Sequence, residues 1–103
     1  MSTEQPTEKE LLKTILEPLL EDFQYWFERS LSLLKSEQMP FFTEEEQAQI
    51  EERIALALQQ VQTSSMLFKA TSGAAGIEPK MLLDWHQLVA ECWSIAKRRR
   101  ENS

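Results

Sequence analysis

An all-α fold is predicted for this sequence: a three-helix, up-down-up bundle with long helices. Turn formers are scarce. There are two glycines, asparagine occurs only at Asn102 and aspartate only at Asp22 and Asp84, whereas sheets and their hairpins draw heavily on these residues. Glu, Gln, Leu, Lys and Ala, all good helix formers, dominate instead. Finally, three stretches repeat apolar residues in alternating steps of four and three, the signature of helices packed side by side.

Residues 1–7 form a short polar leader, expected to be disordered. Thr7 with Glu10 makes a capping box at the start of helix 1, predicted over about 8–36. Its seam is Leu12, Leu16, Leu19, Phe23, Trp26, Ser30 and Leu33, widened by Leu20, Phe27, Leu31 and Leu34. Pro18 cannot donate to the Thr14 carbonyl. Because the apolar pattern keeps its phase across the proline, a kink is expected rather than a break. The connection from Ser36 to Phe42 is apolar for a loop, with Met39, Phe41 and Phe42 placed to tuck under a helix end or meet another subunit.

Thr43 and Glu46 form a second capping box, and Glu44 to Glu46 suit the positive end of a helix dipole. Helix 2 is predicted over about 44–71 on a thin seam of Ile50, Ile54, Ala57, Val61, Ser64 and Phe68, whose small members leave room for rings from helices 1 and 3. Gly73 fits the left-handed position just past its end. Pro79 opens helix 3 at a first-turn position, over about 79–99. There Met81, Trp85, Leu88, Cys92 and Ile95 form the seam, Leu82, Val89 and Ala96 flank it, and Lys97 to Arg100 stand where a helix end favours cations. Residues 8–100 are thus one helical domain, with 101–103 a disordered tail. The stretch Leu19 to Gln24 echoes Leu82 to Gln87, which would suit either a duplication or the ordinary likeness of amphipathic helices.

Net charge is −6, and Lys97 to Arg100 carry four positive charges, so the rest of the chain stands at −10. Such a body repels phosphate, which argues against general nucleic-acid binding. One cysteine excludes an intramolecular disulfide and fits a reducing compartment. No apolar run approaches the length of a membrane span. A cytoplasmic protein is expected.

His86 and Cys92 are the natural pair to test for chemistry, but six positions along a helix turn them about 120° apart. No Cys-His dyad follows, and Cys92 suits a core position. A structural zinc would need four ligands, usually Cys and His. A di-iron bundle would need Glu-x-x-His pairs, and Leu83 stands where the Glu would be. Gly73 to Gly76 lacks the Lys-Ser/Thr of a phosphate loop. No catalytic, metal or cofactor residues are therefore assigned, and the expectation is a protein that is not an enzyme. The Lys97, Arg98, Arg99, Arg100 run matches a helix dipole, and would also suit an acidic protein partner or, more weakly, an anionic surface.

Leu11 to Phe27, Leu67 to Thr71 and Trp85 to Trp93 resemble a small family of uncharacterised cyanobacterial proteins, domain-of-unknown-function family 2605, over roughly residues 10–98. The resemblance implies a cyanobacterial, cytoplasmic helical protein and brings no catalytic residue, cofactor or partner. The leading expectation is a helical protein-interaction module, self-associating as a homodimer, with Tyr25, Met39, Phe41, Phe42 and Lys97 to Arg100 as contact residues. The second is a small-ligand or tetrapyrrole carrier with a pocket near His86, Trp85 and Trp93.

Overall fold

The computed structural model describes residues 8–102, with side chains from Glu10 onward. The capping box at Thr7 and the leader before it lie outside the described residues. Three α-helices follow: α1 (Glu8–Ser36), α2 (Glu44–Ala70) and α3 (Pro79–Glu101). α1 packs against both of the others and is the axis of the bundle. α3 runs two residues further than its periodicity predicts. Glu101 is helical, and Asn102 caps the end by donating its side-chain amide to the Arg98 carbonyl, so these two residues are not the disordered tail expected from the sequence.

α1 continues through Pro18 without a break. Pro18 and Thr14 are both exposed, so water can reach the carbonyl that the proline leaves without a donor. α2 starts as its sequence directs. Thr43 Oγ1 accepts from the Glu46 amide at 3.0 Å, and the Glu46 carboxylate accepts from the Thr43 amide at 2.8 Å.

The end of α2 differs from expectation. The Ser72 amide donates to the Lys69 carbonyl and the Gly73 amide to the Phe68 carbonyl, the paired bonds of a Schellman turn. That pattern puts Ser72, not Gly73, at the left-handed position, with φ +53°. Gly73 follows with φ +87°, where a Cβ would come into ordinary contact with the Phe68 ring and the Lys13 stem.

The core is built from α1 residues Leu20, Phe23, Phe27, Leu31 and Leu34, α2 residues Ile54, Val61 and Phe68, and α3 residues Trp85, Leu88, Val89, Cys92 and Ile95, all buried. The predicted α1 seam is therefore rotated. Leu20, Phe27, Leu31 and Leu34, expected as flank, are the true centre. Leu16, Leu19, Trp26 and Leu33 are only half-buried, and Leu12 is exposed. α1 faces two partners, so its centre of burial falls between them, while the predicted row lies toward α3 alone. In α2, Ser65 is buried and Ser64 half-buried. The echo between α1 and α3 does not extend to packing, because Leu20 is buried and its counterpart Leu83 is exposed.

The register of α3 follows from two contacts. Phe23 meets Trp85 edge-on, and Arg99 Nε donates to Glu37, each pair 62 positions apart. At that offset Pro79 stands level with Glu17. The first turns of α1 project beyond the start of α3. The molecule is correspondingly long, 61 × 25 × 21 Å, with a radius of gyration of 16.8 Å against about 13 Å for a compact chain of this length.

Candidate functional site

Two surfaces stand out, and neither is centred on His86. The first is at the end of the bundle where α1 begins, α2 finishes and α3 starts. Leu11, Leu12 and Ile15 of α1 are 50%, 52% and 55% exposed, Met66 and Leu67 of α2 are exposed, and so is Leu83 of α3. Leu12 and Ile15 continue the side of α1 that α3 covers further along, at Leu19 and Trp26. They are bare because α3 starts too late to reach them.

The second is a groove of about 470 Å³ between α1 and the last turns of α3. Trp26 forms one wall, Cys92 and Ile95 part of the floor, and Arg29, Arg99 and Arg100 the rim. Trp26 is the middle of a row of rings, edge-on to Tyr25 at 5.2 Å and to Trp93 at 5.8 Å. Arg29 lies 5.8 Å from the Trp26 ring and donates to the Tyr25 hydroxyl at 2.8 Å. Burial, partly offset by a hydrogen bond with Ser30, pushes the Cys92 thiol up. The thiol stays neutral at ordinary pH, a poor nucleophile.

The predicted contact residues fall into three groups. Met39 is fully buried and leaves the list. It tucks beneath the α1–α2 corner, and its amide donates to Gln47 Oε1 at 2.8 Å. Phe41 and Phe42 are half-buried and edge-on to each other at 4.9 Å, with the Arg98 guanidinium 4.1 Å from the Phe41 centroid. They therefore anchor the end of α3 to the α1–α2 loop through Arg98, and Arg99 meets Glu37 through its Nε. Tyr25, Lys97 and Arg100 are exposed.

The ligand reading near His86 loses one of its residues. Trp85 is only 2% exposed, edge-on to Phe23, and donates to Gln60 at 3.4 Å. It belongs to the core. His86 is exposed, and it does not line the groove, which begins further along α3. Trp93 is half-exposed but turns toward Trp26.

Two features escaped the sequence reading. Gln47 looks like any exposed glutamine of a first turn, yet it is buried at 4% exposure. Its Nε2 donates to the Leu34 and Glu37 carbonyls at 2.7 and 2.8 Å. The available signal was its place on the α2 seam, three residues before Ile50. The groove could have been sought from Trp26 and Arg29, three apart on the outer flank of α1, but its other wall depends on the register of α3.

Among the described residues no group of three or more His, Cys, Asp or Glu is placed to hold a metal ion, and no helix is long and apolar enough to cross a membrane. Neither a curated protein nor a solved structure matches the chain. A family model described as a protein of unknown function, DUF2605, matches residues 6–101, nearly the whole length. The chain, whose described residues form three α-helices, is a member of the DUF2605 family of proteins of unknown function.

Proposed function

We propose that this protein is a non-enzymatic helical interaction module whose first partner is a second copy of itself. The observation that supports the reading is the bare start of α1: Leu12 and Ile15 lie exposed on the side of the helix that α3 covers further along. Large apolar side chains left uncovered on a helix side that is packed further along mark a contact surface. A second copy brings the same side chains in the same arrangement, and a two-fold pairing would bury both sets at once. The thin core of so long a bundle gives a further reason to gain buried area by association. A cytoplasmic setting and a cyanobacterial origin are part of the same proposal.

Light scattering after size exclusion tests it, over a concentration series from micromolar to near-millimolar. The expected result is a dimer that dissociates on dilution, and a monomer at every concentration for the double variant Leu12→Glu, Ile15→Glu. Both positions are exposed, so the variant should retain its helicity by circular dichroism. A wild-type chain that stays monomeric throughout would overturn the self-association reading.

A further inference from the structure

We propose that the groove between α1 and the end of α3 is a binding site for a small organic oxyanion, a carboxylate or phosphate carried on a flat apolar body. The argument begins with charge. Carboxylates outnumber cationic side chains by 17 to 11 in this sequence, yet the lining of the groove holds three arginines and no acidic residue. The helix dipole accounts for part of this. Arg99 and Arg100 lie in the last turn of α3, where cations are favoured.

It does not account for Arg29, which stands in the interior of α1, two turns before Ser36. Arg29 is held over the groove by its bond to the Tyr25 hydroxyl and its approach to Trp26. A guanidinium has five donors, and one of those of Arg29 is engaged by Tyr25. Arg99 likewise meets Glu37 through Nε alone. Both forks retain donors of the geometry that suits a carboxylate or phosphate.

The rest of the lining selects the body of the ligand. Trp26, Leu33 and Ile95 offer apolar surface beneath the arginines, and the volume of about 470 Å³ falls in the range of small-molecule sites. The Cys92 thiol at the floor, kept neutral by burial, adds no negative charge. A bare inorganic anion would leave this apolar wall unused, and a neutral aromatic would leave the guanidinium forks unused.

The test uses 1-naphthyl phosphate as probe, with inorganic phosphate and 1-naphthol as its two halves, titrated into the full chain and followed by ¹H–¹⁵N correlation spectra. The three indole N–H signals report separately, since Trp26 lines the groove, Trp93 touches Trp26 and Trp85 is buried. Saturable shifts are expected at Trp26 and Trp93, with Trp85 nearly still. Arg29→Gln and Arg99→Gln should each weaken the probe about tenfold, the loss of one charge-assisted contact. Arg53→Gln, on α2 and outside the lining of the groove, should leave the affinity unchanged.

The double variant Leu12→Glu, Ile15→Glu should bind the probe like wild type, which separates this site from the apolar end. Binding that Arg29→Gln leaves intact would overturn the proposal. So would 1-naphthol or inorganic phosphate binding as tightly as the probe, since either would mean that only half of the proposed recognition operates.

Discussion

Gln47 is the side chain on which the corner between α1 and α2 rests. It accepts from the Met39 amide and donates to the carbonyls of Leu34 and Glu37, so three main-chain groups at the joint depend on it. Replacement by leucine keeps the bulk and removes every one of these bonds. With buried polar groups left unmet, Gln47→Leu should destabilise by about 2–4 kcal/mol in denaturant unfolding. Ser72 offers the opposite case. It occupies a left-handed position that costs an L-residue about 1 kcal/mol, and only glycine escapes that penalty. Ser72→Gly should therefore stabilise by up to about 1 kcal/mol, read as a raised melting temperature.

Cys92 gives a pH dependence. Burial raises its pKa in the folded chain, so the unfolded chain loses the thiol proton first. Stability should fall as pH rises past the ordinary thiol value of ~8.5, and Cys92→Ala should flatten that part of the curve while lowering stability overall. Denaturant midpoints across pH 7 to 10 would show it. The sequence made the position of Cys92 on a seam plain. It could not show the role of Gln47, because a polar residue at a core position declares itself only through partners that the fold supplies.

The three helices were legible almost to the residue, since capping boxes, prolines and glycines mark their ends. Which face of each helix is most buried was legible for α2 and α3 and misjudged for α1. A helix with one neighbour buries its seam, whereas α1 has two, and a periodic pattern does not say where they stand. The same geometry makes α3 the least secured helix. It lies mainly on α1, and its link to α2 through Arg53 and Glu91, at 2.8 and 3.1 Å, is exposed on both sides.

An exposed pair of that kind contributes at most about 1 kcal/mol. What holds α3 is the burial of Trp85, Leu88, Val89, Cys92 and Ile95, with Arg98 and Arg99 fixing its far end. Native-state hydrogen exchange should accordingly show α3 opening as a unit at lower free energy than α1 and α2. Its N-terminal turns should lead, since they have no anchor like the one Arg98 makes with Phe41. Protection as strong in α3 as in α1 would contradict this ordering.

At the scale of the whole molecule the two ends are unlike. One carries bare leucines and isoleucine. The other is closed by Met39, by the Gln47 bonds and by Arg98 over Phe41 and Phe42. The tucking of Met39, Phe41 and Phe42 under a helix end was one of the two readings the sequence allowed, whereas the bare end was not legible, because it depends on how far α3 slides along α1 and helical periodicity leaves that translation open.

The late start of α3 also sets the arithmetic of assembly. Sticky surfaces that meet unlike surfaces propagate into fibres, while a patch that meets its own copy is used up in the meeting. When the bare side of α1 at Leu12 and Ile15 meets its own copy, growth has used that foothold, and the opposite end is closed by Arg98 over Phe41 and Phe42. In the proposed assembly it therefore stops at two, giving a rod with both sealed ends outward.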